Sequence, residues 1–176
     1  MTDAELARAI REHALLEGDF VLRSGRRSSY YLDKYRFETK PELLRELGER
    51  IAALVRARAP ETVRLAGPEL GAVALAASAS LASGLPFLIV RKEAKEYGTE
   101  RLLEGAYDEG EEVCLVEDVV TTGGAAVVAV RALRQAGLVC RTAVCAVDRE
   151  EGGADALARE AVRLFRLFCS ADIVAA

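Results

Sequence analysis

The sequence predicts an α/β fold with a central, mainly parallel sheet that helices cover on both faces. Strand and helix patterns alternate from residue 63 to residue 168, and the strands are continuous apolar runs, as expected of parallel strands buried on both faces. The chain has 176 residues, 51% of them hydrophobic, which suits one well-packed domain and is short for two. We therefore expect a single domain over residues 1–176, with an N-terminal part, 1–40, and an α/β core, 41–176.

The N-terminal part is predicted to contain one helix and a hairpin. Apolar residues recur on one face of the segment 3–17, which is typical of an amphipathic helix. Two short apolar runs, 20–22 and 30–32, flank the polar glycine turn SGRRSS and are predicted to be strands. Pro41 then opens a second helix, because apolar residues continue at helical spacing beyond it.

The core is predicted from the alternation that follows. The expected strands are 63–66, 86–90, 112–116, 139–147 and 162–168, the last at an edge, and the expected helices are 70–82, 125–136 and 153–160. A polar stretch, 91–110, separates the second strand from the third. Such sheets bind ligands outside the carboxyl ends of their strands, so the segments after the strands are the places where a site is expected.

Charge and cysteine content exclude several classes of function. A net charge of −4 gives no general attraction to nucleic acid or to an anionic membrane, and no apolar run approaches the roughly 20 residues of a membrane span. The N-terminus resembles an amphipathic helix and not a signal sequence. The four cysteines show neither CxxC nor zinc spacing and are expected to be reduced and structural. We expect a soluble, cytoplasmic protein without nucleic-acid or membrane partners.

The segment VCLVEDVVTTGGAA, 113–126, combines an acid pair with a nearly bare loop. Residues 121–124, Thr-Thr-Gly-Gly, precede a helix N-terminus, where free backbone N–H groups bind anions and glycines let a phosphate approach. Glu117 and Asp118 would repel a phosphate unless they face sugar hydroxyls or a hydrated Mg²⁺. The segment therefore predicts a ribose-5-phosphate site; the alternative is an acidic turn that caps an ordinary helix. The nucleotide P-loop pattern is absent.

Two basic segments follow other strands. Only four residues are lysine, and two of them, Lys92 and Lys95, lie in the segment RKEAKEYG, 91–98, which we call the lysine loop. A cationic loop of this kind could cover a pyrophosphate and exclude water, although a solvated charged loop is the usual alternative. Arg149, in the segment VDRE, follows an apolar strand and could take a carboxylate with two hydrogen bonds, unless it lies on a surface turn.

These segments, in this order, resemble orotate phosphoribosyltransferases, a family of the type I phosphoribosyltransferase fold. VCLVEDVVTTGGAA is similar to the motif that binds phosphoribosyl pyrophosphate (PRPP), and RKEAKEYG to the loop that closes over PRPP. FVLRSGRRSSYYL, 20–32, resembles the N-terminal hood over the base, and VDRE the motif whose arginine contacts orotate. AGPELG, 66–71, is similar to the loop that faces pyrophosphate, with Leu70 and Gly71 where some members carry Tyr-Lys.

The resemblance implies transfer of ribose 5-phosphate from PRPP to orotate, in pyrimidine biosynthesis. It implies Mg²⁺, bound mainly through PRPP with Asp118 contacting it through water, and a homodimer that shares the lysine loop across its interface. The implied catalytic residues are Lys92, Lys95, Glu117 and Asp118. The implied PRPP-binding residues are Arg91, Lys92, Lys95, Tyr97, Glu117, Asp118, Val119, Val120, Thr121, Thr122, Gly123, Gly124 and Ala125. The implied orotate-binding residues are Arg23, Tyr31, Leu32, Thr121 and Arg149.

Three further positions depart from the family pattern. Tyr97 stands where many members carry histidine, which weakens a proton-transfer role there; the only histidine, His13, is expected to be structural. Arg23 replaces a lysine, and Leu32 would cover the base less completely than an aromatic residue. Two alternatives stay open: a phosphoribosyltransferase for a purine or for uracil, and a PRPP-sensing regulator that binds nucleic acid.

Overall fold

The computed structural model of the chain describes residues 1–21, 25, 27–93 and 102–176. Its strands are β1 Leu15–Val21, β2 Arg27–Leu32, β3 Arg64–Pro68, β4 Phe87–Val90, β5 Leu103–Glu104, β6 Glu112–Val120, β7 Val139–Asp148 and β8 Arg163–Cys169. Its helices are α1 Asp3–Ala14, α2 Lys34–Glu38, α3 Pro41–Arg58, α4 Gly71–Ser83, α5 Gly124–Gln135, α6 Gly153–Arg159 and α7 Ser170–Ala175.

Six strands form the central sheet in the order β5-β4-β3-β6-β7-β8. All neighbouring pairs are parallel except β4 and β5, which pair antiparallel at one edge. The chain runs outward from β3 to β4 on one side and from β6 through β7 to β8 on the other. The boundary between β3 and β6 is therefore a topological switch point, where a crevice opens beyond the carboxyl ends of the strands. The predicted α/β fold is confirmed.

Helices cover the sheet on both faces because side chains alternate along each strand. On β6, Cys114 and Val116 enter one core cluster with apolar residues of α3 and α4. Leu115, between them, faces the other cluster, which α5 and α6 complete. All four cysteines are buried and free, as predicted. Because apolar residues pack on both faces of β6, this strand is a rigid central support for the residues at its carboxyl end.

The N-terminal part packs on the first of these cores. Thr2 caps α1 together with Glu5 in a reciprocal capping box, and Leu6 and Ile10 of α1 join the same cluster as α3. β1 and β2 form a separate antiparallel hairpin that begins where α1 ends. Within the described ranges, no helix has both the length and the hydropathy needed to cross a lipid bilayer.

Several predicted boundaries were wrong. The two hairpin strands begin at Leu15 and Arg27 and not at residues 20 and 30. The first helix ends at Ala14 and not at residue 17, because Leu15 already pairs with Leu32 in the hairpin. The strand predicted over 112–116 continues to Val120, so Glu117 and Asp118 lie within β6 and not after it. Charged residues are rare in buried strands, but the ladder with β7 holds this segment in extended conformation as far as Val120.

Candidate active site

The carboxyl ends of four neighbouring strands bring the predicted segments together at one edge of the sheet. The backbone N–H of Lys92, just after β4, donates to Oε1 of Glu69, just after β3, over 2.7 Å. The backbone N–H of Arg149, just after β7, donates to the carbonyl of Val120 at the end of β6 over 2.9 Å. These bonds fix the start of the lysine loop and the predicted orotate arginine on either side of the acid pair.

The acid pair is almost completely buried at the switch point. Glu117 is 7% exposed and Asp118 is 3% exposed. Oδ2 of Asp118 accepts a hydrogen bond from Nζ of Lys34 on α2, over 2.5 Å, and Oδ1 accepts from the backbone N–H of Val119. Among the described residues, Oε1 of Glu117 has no hydrogen-bond partner. One acid is thus held by an ion pair and the other keeps an unused acceptor.

A third carboxyl, that of Glu38 on α2, belongs to the same group. Burial, together with the neighbouring Asp118 charge, raises the pKa of Glu38 to about 8. Burial likewise raises the pKa of Glu117 to about 8, with Asp118 adding to the effect and Lys34 opposing it. Both glutamates therefore favour the protonated form more than exposed glutamates do, and the Lys34 ammonium is paired with Asp118.

Gly71, the first residue of α4, leaves the space that this ion pair occupies. A Cβ at this position would lie 1.9 Å from Oδ2 of Asp118 and 3.0 Å from Nζ of Lys34. Lys34, Glu38 and Gly71 were not predicted from the sequence as site residues. The scarcity of lysine was a usable signal for Lys34, since only four lysines occur in the whole chain.

The loop between β6 and α5 has the open form that the sequence predicts. Gly123 caps α5 in the left-handed region, with φ of 81°, and a Cβ there would lie 2.9 Å from the carbonyl oxygen of Gly153. Thr121, Thr122 and Gly124 are exposed, and so is Ala125 in the first turn of α5. The unpaired N–H groups of this first turn thus face an open approach, as an anion site requires. Val119 and Val120 are more buried and support the loop from below.

Arg149 lies nearly buried between the core and the hairpin. Its Nε is 3.2 Å from Oε1 of Glu151, and its guanidinium lies 5.8 Å from the ring centroid of Tyr30 on β2. The cation–π contact and the ion pair together hold the guanidinium at the end of β7. This is a suitable position for recognising a planar, anionic ligand.

The other predicted site residues lie on β2, near the lysine loop, or outside the described residues. On β2, Tyr31 is exposed and packs on Phe20, with ring centroids 5.7 Å apart, whereas Leu32 is buried in the core. Tyr30, which was not predicted, is therefore the aromatic residue of β2 that contacts Arg149. Near the lysine loop, Arg91 forms an ion pair with Glu104 at 3.5 Å, and Lys92 is exposed. Arg23, Lys95 and Tyr97 lie outside the described residues.

The fold and the site together define a class of protein. A mainly parallel sheet whose switch point carries an acid pair, followed by an open loop at a helix N-terminus, is the architecture of the type I phosphoribosyltransferases.

Comparison with known sequences identifies the family within this class. The chain is 49% identical to the orotate phosphoribosyltransferase of Methanocella arvoryzae, over 98% of this chain and 97% of that protein. It is 47% identical to the orotate phosphoribosyltransferase of Halobacterium salinarum, over 97% of this chain and 95% of that protein. No protein-family model matches the sequence. The chain belongs to the orotate phosphoribosyltransferase family.

Solved structures give the same result for the fold. Orotate phosphoribosyltransferase from Aeropyrum pernix matches with a TM-score of 0.82 at 35% identity, covering 97% of this chain and 96% of that one. The Mycobacterium tuberculosis H37Rv enzyme in complex with PRPP matches with a TM-score of 0.82 at 30% identity, covering 98% of each chain. An adenine phosphoribosyltransferase from Leishmania donovani, at 17% identity and a TM-score of 0.73, shares the fold alone. The fold by itself therefore does not decide the base.

Proposed function

We propose that the protein transfers ribose 5-phosphate from PRPP to N1 of orotate, giving orotidine 5′-phosphate and pyrophosphate. One observation carries the proposal: the buried acid pair of β6 leads directly into an open, glycine-rich loop at the N-terminus of α5. A phosphorylated sugar needs hydrogen-bond acceptors for its hydroxyls and hydrogen-bond donors for its phosphate. The carboxylates supply the acceptors, and the N–H groups of the loop supply the donors. Membership of the orotate phosphoribosyltransferase family supports the choice of acceptor.

The proposed reaction requires positioning and charge stabilisation more than acid–base chemistry, because orotate is already an anion. Residues 121–125, which form the phosphate loop of this proposal, hold the 5-phosphate through backbone N–H groups and threonine hydroxyls. Glu117 and Asp118 accept hydrogen bonds from the ribose hydroxyls, and the Asp118 carboxylate stabilises positive charge on the ring as the bond at C1 breaks. The unpaired Oε1 of Glu117 is an acceptor that a ribose hydroxyl would satisfy.

Arg149 is the proposed anchor of the base. A guanidinium can bind the carboxylate of orotate with two parallel hydrogen bonds, and neutral purines offer no such group. Its place beside the end of β6 puts it next to Thr121, so that one residue of the phosphate loop can also reach the base. Tyr30 packs against the guanidinium and supplies an aromatic surface on the hood side.

The leaving pyrophosphate needs cations. Lys92 and Lys95 supply them in this proposal, with Arg91 and Tyr97 beside them on the same loop. Mg²⁺ would enter with PRPP and be bound mainly through the oxygens of that donor, as the family resemblance implies. Asp118 has the oxygen chemistry to contact the ion through water, and the ion would supply charge neutralisation at the pyrophosphate.

The proposal extends to assembly and location. The lysine loop would act partly across the interface of a homodimer, in the cytoplasm. Family resemblance supports both statements, and mixing two inactive variants tests whether the loop is shared.

The test of the proposed function is an absorbance assay that follows orotate consumption with PRPP and Mg²⁺. We expect turnover of orotate and no turnover of adenine, hypoxanthine or uracil under the same conditions. Turnover of another base without orotate would overturn the choice of acceptor. Salt-sensitive DNA binding without any PRPP turnover would show that the protein is a nucleic-acid-binding regulator and not an enzyme.

A further inference from the structure

The ion pair between Lys34 and Asp118 is built into the switch point and is not a surface contact. The two residues lie 84 positions apart in sequence, on α2 and β6, and their charged atoms are 2.5 Å apart. The Asp118 side chain is only 4% exposed, and the Lys34 side chain is 32% exposed. The ammonium therefore contacts a buried acid, while part of the lysine side chain stays exposed to solvent.

The chain reserves space for this pair. A Cβ at position 71 would collide with Oδ2 of Asp118 and would touch Nζ of Lys34. Any residue other than glycine at the start of α4 would therefore displace Oδ2 of Asp118 from its present position beside Nζ of Lys34. Burial alone would lower the pKa of Lys34, but the charge and hydrogen bond of Asp118 outweigh it and raise the pKa. The lysine thus stays charged in this partly buried place.

We propose that Lys34 is a positioning residue, which holds the Asp118 carboxylate in its working orientation and balances its charge so that the crevice accepts a polyanionic phosphoribosyl donor. This inference rests on the proposed function. An unbalanced carboxylate at this depth would repel the phosphates of PRPP, and in a weakly polarisable site that repulsion is only partly screened. Lys34 also sits where neither the acid-pair motif nor the lysine loop places a cation.

The experiment measures PRPP affinity by calorimetry with Mg²⁺ and no orotate, and then steady-state kinetics with both substrates. Lys34→Met is expected to weaken PRPP binding and raise the KM of PRPP by roughly tenfold or more, with the KM of orotate nearly unchanged. Lys34→Arg keeps the charge and should recover most of the affinity. Lys40→Met is the matched control, because Lys40 lies near the same short helix but contacts His13.

Two further variants separate positioning from a general loss of structure. Gly71→Ala displaces the pair without removing a charge, and it should reproduce the PRPP defect of Lys34→Met. In the Asp118→Asn background, Lys34→Met should cause little further loss of PRPP affinity, since the partner to be positioned is gone. This double variant removes both charges of the pair and leaves neither one unpaired, so it is expected to fold, as thermal unfolding would show.

Several outcomes would overturn the inference. PRPP affinity unchanged in Lys34→Met, or an equal loss in the Asp118→Asn background, would show that Lys34 does not act through Asp118. Failure of the charge-conserving Lys34→Arg variant to recover affinity while Gly71→Ala binds normally would also contradict it. A wild-type protein that binds PRPP but does not convert orotate would overturn the proposed function alone.

Discussion

At the scale of single residues, the site concentrates groups that are costly to bury. Glu38, Glu117 and Asp118 are each less than one-tenth exposed, and Oε1 of Glu38 and of Glu117 has no partner in the described part of the chain. Buried polar atoms without partners destabilise a fold by the lost hydration, so a water molecule or a ligand that satisfies them would bind favourably. We therefore expect stability and function to conflict at these positions.

Glu38 gives a prediction about pH. Its pKa is raised from 4.5 to about 8 in the folded protein, so the folded state holds a proton that the unfolded chain releases. The contribution of this proton to stability is complete below the pKa that Glu38 has in the unfolded chain. It is lost as the pH rises through the pKa that Glu38 has in the folded protein. The Glu38→Gln variant has no ionisable group at this position. Its unfolding free energy should therefore be higher than that of the wild type by more than about 1 kcal/mol near pH 8, but not near pH 5.

Urea unfolding of both proteins at the two pH values would measure this difference. Glu42→Gln is the control, because Glu42 is an exposed carboxyl on α3 and should give the same small change at both pH values. An equal effect of Glu38→Gln at both pH values would contradict the prediction.

Arg149 gives a prediction about the base. Arg149→Lys keeps the charge but loses the paired hydrogen bonds of a guanidinium, so the KM of orotate should rise by roughly tenfold or more while the KM of PRPP changes little. Arg166→Lys is the control, since Arg166 of β8 pairs with Asp148 and Glu150 nearby. Steady-state kinetics with each substrate varied would measure both constants. An unchanged KM of orotate in Arg149→Lys would remove Arg149 from the base site.

At the scale of elements, the junction of β6 and α5 connects the acid pair to the proposed phosphate loop, 121–125. The turn depends on Gly123, whose φ of 81° and close contact with Gly153 exclude a side chain. Gly124, the next residue, begins the helix, and a Cβ added to it would have open space around it. The two glycines therefore have different structural roles, although the sequence shows them as one pair.

Gly123→Ala is expected to lower the unfolding free energy by roughly 1–3 kcal/mol, because the left-handed conformation and the contact with Gly153 both oppose a Cβ. Gly124→Ala should change it by less than about 0.5 kcal/mol, since the helix start tolerates alanine. Thermal or urea unfolding of the two variants would compare them directly. Equal stability of both would show that the turn relaxes without strain.

The elements with a strong periodic pattern were predictable from sequence, and the others were not. The strands β7 and β8 and the helix α5 fall within one or two residues of their predicted bounds, because apolar runs and glycine ends mark them. The short elements α2, β5 and α7 carry no such pattern and were missed. The end of β6 was missed because two acids suggested a turn, while pairing with β7 continues through them.

The candidate site, like the fold, was predictable from the sequence only where a local pattern marks it. The acid pair and its loop are contiguous, so a local pattern predicts them. The ion pair of Lys34 with Asp118 and the packing of Tyr30 on Arg149 join segments distant in sequence. Tyr30 also depends on strand register, because neighbouring residues of β2 face opposite sides and a shift of one position exchanges Tyr30 with Tyr31. Such contacts need the tertiary structure.

At the scale of the whole molecule, the N-terminal part and the core act as one unit. α1 packs in the same core as α3, and Arg11 of α1 donates to the carbonyl oxygen of Ala176 over 2.6 Å. This docking holds α2, with Lys34 and Glu38, over the switch point and holds Tyr30 against Arg149. The proposed base site and the acid pair are therefore both completed by residues of the N-terminal part, on a fold that an adenine phosphoribosyltransferase shares.

The proposed homodimer gives the last prediction. Lys95→Ala and Asp118→Asn should each have greatly reduced turnover, because one lacks a cation for the pyrophosphate and the other the ribose carboxylate. If the lysine loop serves the partner's site, a mixed dimer contains one site in which both residues are intact. Random exchange makes half of the dimers mixed, with one working site in each, so an equal mixture should regain about a quarter of wild-type activity. Turnover of the refolded mixture, with each variant refolded alone as control and gel filtration to confirm dimers, measures this recovery. A mixture of dimers no more active than its components would place the loop over the site of its own subunit.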